Sequence, residues 1–374
     1  MNKIFKLGTV LALLFLAFAT GAMAGTQFGI DGTLTGSLFA IGAIVAGAPQ
    51  GALTLGIDIS QIDPSEIVAD LSKYMNFPKN QMDFFRKLRN GLELAPYLKS
   101  IGNQRGNYVG ISSESTELLQ AFQNGWTPKG TTSFIGFNNP IFRVKVDHTI
   151  SNIDTILDSW AFFLGNETVN RADWPLTRYI VEMEILPALI DEMNTAMCRG
   201  SYVAPTAGTA GNSIASMDGL LTIITREIDD TEAITPIVTG AISASNAVEK
   251  IETFADGIDP LVSMKGGIIL CSQTVARYYK SKYRATYGLT NDQQAKNNVS
   301  LDNYDIKLVP INGFGTSQRL VFVTQGNLIH LYDQMITPRG FKIEENRRVV
   351  DILADWHVGI GFNSIQGVYA NDQA

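Results

Sequence analysis

The side chains that most often carry enzyme chemistry are sparse in this sequence. It holds three histidines, at positions 148, 330 and 357, and no two of them are close together in the chain. Catalytic and metal sites usually combine a histidine with further titratable or metal-binding groups. We therefore expect His148 and His357 to be ordinary strand residues, and His330 to be a packed polar side chain.

Short catalytic or cofactor-binding motifs are missing as well. The sequence contains no HExxH, no GxSxG and no G-x-x-x-x-G-K-[ST] phosphate loop. Gly313 and Gly315 match part of a dinucleotide fingerprint, but no third glycine opens a helix after them. The adjacent carboxylates Asp229–Asp230 and Glu344–Glu345 must point apart in a helix or strand. The sequence predicts no catalytic, cofactor-binding or metal-binding residue, and no cofactor.

The densest group of cations lies in the segment Tyr279–Arg284, where tyrosines alternate with basic residues. Such a cluster could bind nucleic acid through phosphates and stacked bases. On a helix, however, three basic residues fall along one side and three tyrosines along another. These are Arg277, Lys280 and Arg284, and Tyr279, Tyr283 and Tyr287. We interpret the segment as an exposed charged stripe beside a packed aromatic stripe.

The overall composition favours a folded protein with broad uncharged surfaces. The chain has 374 residues, of which 45% are hydrophobic and only 17% charged, below the roughly 25% of an average soluble protein. Its net charge of -7 argues against a nucleic-acid reader, since no overall basic field attracts phosphates. Two cysteines, Cys198 and Cys271, cannot form a disulfide framework, and we expect both to be buried apolar residues.

The N-terminal end has the pattern of a secretory signal peptide. Lys3 and Lys6 precede the apolar run Val10–Ala19, and Ala22–Ala24 precedes Gly25. This run is shorter than the about 20 residues of a membrane span, although a second apolar stretch follows at Leu38–Val45. Taken alone, this segment indicates export.

From about residue 60 onward, periodic patterns predict mixed helices and strands. Asp63 is expected to cap a short helix, and a second one to carry Phe84, Phe85 and Leu88 on one face. Further helices are predicted at about 152–163, 217–227, 243–255 and 272–287. Strands are predicted at 267–271, 306–310, 319–324, 328–332, 341–343, 349–354 and 357–360.

Two further segments bear on function. Trp174–Cys198 is predicted to be one long helix, with Asp173 as N-cap, Pro175 in its first turn, a bend at Pro187 and Gly200 after its end. The chain from 108 to 150 alternates polar and apolar residues, and we expect a strand pair between Gly125 and Ile150.

The order of these pieces resembles the major capsid protein of tailed bacteriophages, a fold also used by encapsulin shells. Trp174–Ile180 through Arg199–Tyr202 resembles the long spine helix and its exit, and Ser216–Leu220 the entry to the axial domain. Gly267–Leu270, the tyrosine-rich helix, Val309–Gly313 and Arg319–Thr324 follow in the order of such proteins. The resemblance covers about 200 residues and lies in element order, not in one diagnostic motif.

This resemblance implies an α+β fold with a spine helix, an axial domain, a peripheral domain, an extended loop and an N-terminal arm. The implied parts are a signal-like or cleavable hydrophobic segment (1–24), the N-terminal arm (25–107), the extended loop (108–151), the peripheral domain with the spine helix (152–213), the axial domain (214–335) and return strands of the peripheral domain (336–374). The extended loop would lie over a neighbouring subunit.

The implied function is structural and not enzymatic: self-assembly, as hexamers and pentamers, into an icosahedral virion shell around double-stranded DNA. Portal, scaffold or decoration proteins would be further partners, and DNA would touch only locally exposed Lys or Arg. The shell would assemble in the host cytoplasm, where an export signal has no place. Residues 1–24 could be removed at maturation, or be buried between subunits or against a membrane, and such membrane contact could extend over residues 1–48. The alternative is an exported bacterial surface-layer or periplasmic binding protein.

Overall fold

The computed structural model describes residues 78–151, 153–166, 174–287, 299–301, 306–333, 341–346 and 349–373. All of these lie in the second of the two units into which the chain divides, Asp63–Ala374. The predictions for residues 1–77, including the signal-like segment and the helix after Asp63, lie outside the described residues, as does Asp173.

Apart from the short helix at Pro260–Ser263, which was not predicted, the described helices agree with the predicted ones to within a few residues at each end. They are α1 (Pro78–Gly91), α2 (Ile153–Asn166), α3 (Leu176–Tyr179, Ile180–Ile185 and Leu186–Arg199 in succession), α4 (Leu220–Asp229), α5 (Ala247–Asp256), α6 (Pro260–Ser263) and α7 (Gln273–Tyr287). Phe84, Phe85 and Leu88 share the buried face of α1, as their spacing predicts.

The strands within the described ranges form three sheets. They are β1 (Lys99–Ile101), β2 (Tyr108–Ser115), β3 (Thr132–Asn139), β4 (Phe142–Ile150), β5 (Gly267–Ser272), β6 (Val299–Ser300), β7 (Ile306–Ile311), β8 (Val321–Thr324), β9 (Leu328–Asp333), β10 (Phe341–Asn346), β11 (Val349–Phe362) and β12 (Val368–Ala370). The first sheet has the order β1-β9-β11-β10, and β4 pairs with β11 beside that path. The second has the order β12-β8-β5-β7-β6, and the third is formed by β2 and β3.

The long helix α3 is continuous from Leu176 to Arg199, and Pro187 is accommodated by a change of helix type. The segment Ile180–Ile185 just before it is π-helical, so the Leu186 amide donates to the carbonyl of Val181 five residues back. Proline lacks an N–H and crowds the preceding turn, and a wider turn relieves both effects. Pro175 stands at the N-cap and not in the first turn.

Gly200 ends α3, as predicted, but close packing and not a left-handed backbone requires the glycine. A Cβ at this position would lie 2.5 Å from the carbonyl oxygens of both Ala196 and Met217. The glycine therefore allows the chain that enters α4 to lie directly against the end of α3.

The strand pair predicted between Gly125 and Ile150 is wrong. Thr132–Asn139 pairs backward with Tyr108–Ser115, whereas Phe142–Ile150 pairs with β11. The reason is burial: Val144 and Ile150 form an apolar face on β4, and this face is buried in the core of the chain's own first sheet.

The two strands predicted at 349–354 and 357–360 are a single strand of 14 residues, β11. Alternation of buried and partly buried residues continues without a break through Asp355 and Trp356. Trp356 belongs to the buried face, where its ring lies 5.8 Å from that of Phe85. Because Trp356 continues the buried face, the strand runs on through residues 355 and 356, where two separate strands were predicted.

The second sheet is covered on one face by α5 and α7. Buried residues of both helices and of β5, β7 and β8 form one continuous apolar cluster, which includes Ile251, Phe254, Tyr279, Leu308 and Phe322. Each fully buried side chain of this size contributes roughly 1.5–3 kcal/mol. This cluster fixes α5 and α7 side by side.

Both cysteines are free and buried, as predicted. Burial raises the pKa of Cys198 to about 12, and burial also raises the pKa of Cys271. Both thiols are therefore protonated at neutral pH and act as apolar packing groups.

Two polar residues near the C-terminus close the second sheet. Asn371 is fully buried; its Oδ1 accepts from the Leu320 amide at 2.8 Å, and its Nδ2 donates to the Gln318 carbonyl at 3.1 Å. Asp372 Oδ1 accepts from the amides of Thr239 and Gly240 at 2.9 and 3.1 Å. These bonds of Asn371 join segments about fifty residues apart, and those of Asp372 join segments more than a hundred residues apart.

Candidate self-association surface

The hairpin β2–β3, residues 108–139, is separate from the other two sheets, because among the described residues its strands pair only with each other. Eight residue pairs form its ladder, from Tyr108 opposite Asn139 to Ser115 opposite Thr132. Residues 116–131 connect the strands, and we call them the hairpin loop. A two-stranded hairpin is marginally stable in water without a covering layer.

The hairpin exposes an unusual amount of apolar surface. Leu119, Phe122 and Trp126 of the hairpin loop are each more than 90% exposed. Further large apolar side chains are exposed on the loop and on both strands: Val109, Ile111, Leu118, Phe134 and Ile135. Large apolar side chains concentrated on one exposed segment are typical of surfaces that bind another protein or a membrane.

Polar contacts and not apolar burial give the hairpin loop its shape. The Thr116 amide donates to the Thr131 carbonyl at 3.0 Å, and the Thr131 amide donates back to Thr116 Oγ1 at 2.8 Å. Lys129 and Glu117 form an ion pair at 2.6 Å. Gly130 has a positive φ of 80° and packs against the Glu117 carbonyl. The loop's apolar side chains are therefore left to contact something else.

The base of the hairpin is fixed to the end of β11. Buried Asn139 bridges the backbone of Phe362: its Nδ2 donates to the carbonyl, and its Oδ1 accepts from the amide, both at 2.9 Å. Two glycines allow this approach. A Cβ on Gly361 would lie 1.8 Å from Asn139 Oδ1, and one on Gly110 would lie 2.2 Å from the Asn363 carbonyl oxygen. The hairpin is thus anchored at one end and uncovered at the other.

The three histidines lie on three different strands of the first sheet. His148 is exposed on β4, His357 is half-buried on β11, and His330 is buried on β9. In the β9–β11 register, His357 lies opposite Asp333 and His330 opposite Ile360, which places the two histidines on opposite faces of the sheet. The interpretation of all three as strand or packing residues is confirmed.

The other motifs considered also have structural roles. The Gly313 amide donates to Glu93 Oε2 at 3.0 Å, and a Cβ on Gly313 would lie 2.5 Å from Cys198 Sγ, so this glycine serves packing. Asp229, Asp230 and Glu344 are exposed. In the described part of the chain, no group of three His, Cys, Asp or Glu residues could hold a metal ion.

Buried His330 is expected to make the folded chain sensitive to acid. Burial, with a smaller effect of the Arg89 charge, lowers its pKa from 6.5 to about 4. Its Nε2 has no hydrogen-bond partner among the described residues. Between pH 6.5 and 4 the unfolded chain therefore binds the proton and the folded chain does not, so stability falls as the pH falls. The loss is roughly 3 kcal/mol over this range, at 1.36 kcal/mol per pH unit.

Urea unfolding of the full chain at pH 7.5 and pH 4.5 measures this effect. The variant His330→Phe keeps a ring of similar size but cannot titrate, so it should lose about 2 kcal/mol less than the unaltered chain between the two pH values. An equal loss in both proteins would show that other groups cause the acid sensitivity.

Sequence reasoning missed the surface of the hairpin loop. Leu118, Leu119, Phe122 and Trp126 fall at three- and four-residue steps, which is a helical spacing, but the loop 116–131 contains no helix, so this spacing did not reveal the exposed surface. The available signal was of another kind: large apolar residues in a segment with too little regular structure to bury them.

Comparisons with known proteins place the fold. No family model and no curated protein matches the sequence. The structure is similar to a chain of the satellite phage P4 procapsid that includes the size determination protein, with 12% identity, a TM-score of 0.54, and coverage of 78% of this chain and 89% of that one. This likeness confirms the predicted α+β fold class.

Two further solved structures match with lower TM-scores. A chain of the cyanophage A-1(L) capsid has 13% identity over 76% of this chain and 92% of that one, with a TM-score of 0.45. An encapsulin complex chain from Synechococcus elongatus has 11% identity over 75% and 86%, with a TM-score of 0.42. Within the described ranges, no helix combines the length and apolar content needed to cross a bilayer.

Proposed function

We propose that this chain is a structural subunit that associates with copies of itself into a closed icosahedral shell. The proposal starts from its α+β fold, which is that of phage capsid proteins. The observation that carries the proposal is the hairpin: Asn139 anchors its base and Glu114 accepts a hydrogen bond from Gln366, but its loop exposes Leu119, Phe122 and Trp126. These side chains gain free energy only when another surface covers them.

The hairpin supplies enough apolar surface for a substantial contact. Burying three side chains of this size contributes roughly 5–8 kcal/mol before the cost of association is subtracted. In a shell each subunit both gives and receives this contact, so a modest free energy per contact is multiplied by closure. We therefore take a neighbouring copy as the surface that covers the hairpin, because every subunit of a shell has such a neighbour.

The finer organisation is also a proposal. In it, α3 is the spine helix of a peripheral domain that β10 and β11 complete, and the second sheet with α5 and α7 is the axial domain. The extended loop is then the hairpin, while β4 belongs to the peripheral sheet. No residue has a catalytic role in this function, and the shell encloses double-stranded DNA in a virion.

The alternative of an exported surface-layer or periplasmic binding protein has less support. It depended on residues 1–24, which lie outside the described residues, and nothing in the fold favours it.

Electron microscopy and sedimentation of the purified full chain test the proposal. We expect closed particles of uniform size, and nucleic acid inside them that survives nuclease until the particles are opened. Particles that contain protein but no nucleic acid would support shell formation and contradict the proposed DNA content. A chain that remains monomeric at every concentration, or forms only flat lattices, would contradict the shell itself.

A further inference from the structure

The outward sides of α5 and α7 carry opposite charges. The two helices cover the same face of the second sheet and share one apolar cluster. Helix α7 contains four basic residues and no acidic one, whereas α5 contains three acidic residues and one basic one. One sheet face therefore presents a basic helix beside an acidic helix.

The basic side is built from Arg277 and Arg284, and we call this pair the basic stripe. The two residues are seven positions apart, so they lie on one side of α7, about 10.5 Å apart along its axis. Both are exposed, and neither forms an ion pair among the described residues. Tyr287, at the end of the same helix, is 58% exposed. Arginine and tyrosine are enriched in protein interfaces.

The acidic side is built from Glu249 and Asp256, the acidic stripe. These residues are also seven positions apart, on the exposed side of α5, which gives the same axial spacing of about 10.5 Å. Asp256 also interacts within the chain. A carboxylate has acceptor sites for more than one donor, so that interaction does not prevent a second contact.

We infer that the basic stripe of one copy binds the acidic stripe of the next copy, in a head-to-tail contact. The inference rests on the proposed self-assembly and adds the residues and the orientation of one contact. Equal spacing allows both guanidinium groups to meet both carboxylates at once. Because each copy carries one stripe of each sign, the contact repeats from copy to copy and can close a ring.

A nucleic acid is a poorer occupant of the basic stripe. The acidic stripe lies on the neighbouring helix and would repel phosphates laid across this face, and the chain as a whole has a net charge of -7. The same net charge makes copies repel one another, so a local pairing of opposite charges is needed to orient them.

Charge reversal tests the contact. We expect Arg277→Glu with Arg284→Glu to raise the concentration needed for assembly at least tenfold, because the contact then opposes four carboxylates. Glu249→Arg with Asp256→Arg should have the same effect. Combining all four changes should restore assembly to within about threefold of the unaltered chain, since the charges are exchanged and again complementary.

The matched control reverses two exposed lysines away from both stripes, Lys265→Glu with Lys307→Glu. It changes the net charge by the same amount as the arginine variant and should assemble near the normal concentration. Sedimentation velocity measures assembly, and thermal melting shows that each variant is folded, which we expect because every substituted side chain is exposed.

Each outcome is decisive. The proposed contact is overturned if the arginine variant assembles normally, or if the variant with all four substitutions does not recover assembly. If the arginine variant assembles normally but no longer protects nucleic acid, the basic stripe faces the nucleic acid and not a copy. An unaltered chain that never assembles would overturn the proposed function together with the contact, whereas failure of the contact alone leaves shell formation intact.

Discussion

Replacing Leu119, Phe122 and Trp126 with serine should leave the full chain folded but raise the concentration needed for shell assembly at least a hundredfold. The three side chains are more than 90% exposed, so the free subunit loses almost no packing when they are removed. The assembled state loses the transfer free energy of all three, roughly 5 kcal/mol or more, and each 1.4 kcal/mol is a tenfold change.

Sedimentation velocity, with circular dichroism to confirm folding, measures this effect. The matched control replaces Ala121 and Asn124 of the same hairpin loop with serine, because both are exposed and neither takes part in the polar contacts that give the loop its shape, and it should still form particles. If the triple apolar variant assembles like the control, the hairpin is not the contact between copies.

Substituting alanine for Asn139 is expected to lower the free energy of unfolding by about 3 kcal/mol. Its amide bridges the N–H and the carbonyl of Phe362 in a buried position, and alanine leaves both backbone groups without partners. Each unsatisfied buried group costs about 1–3 kcal/mol. The loss should be concentrated at the base of the hairpin, and assembly should weaken with it.

Asn138→Ala is the natural comparison for this variant. Asn138 is the adjacent residue on β3 but it is exposed, so its replacement should change stability by no more than about 0.5 kcal/mol. Urea unfolding of the two variants side by side measures the difference, and equal losses would show that the bridge to Phe362 does not hold the hairpin.

Local patterns in the sequence were sufficient to predict most helices and strands, because their signals lie within a few residues. Asp, Pro and Gly at helix ends and period-2 alternation located α3, α7 and β4 to within a few residues. The burial of Tyr279 and Tyr283 on one side of α7 follows from their spacing alone.

Partners distant in the chain were not predictable in the same way. β4 pairs with β11 about 200 residues later, for example Val144 with Trp356, and nothing near Val144 indicates that partner. The π-helical turns before Pro187 likewise depend on how the rest of α3 is held. The candidate surface was missed in part because the wrong strand pair placed β4 in the hairpin.

The bonds of Asn371 and Asp372 also bear on when the subunit can mature during its synthesis. Asp372 binds the Thr239 amide across 133 positions of sequence, and Asn371 supplies the partner of the Leu320 amide. Thr239 is synthesised long before Asp372, so the ribosome must translate all of the intervening sequence before these hydrogen bonds can form. Until then, nascent chains on one transcript lack a completed second sheet, so contacts between copies through that sheet form only after synthesis is finished.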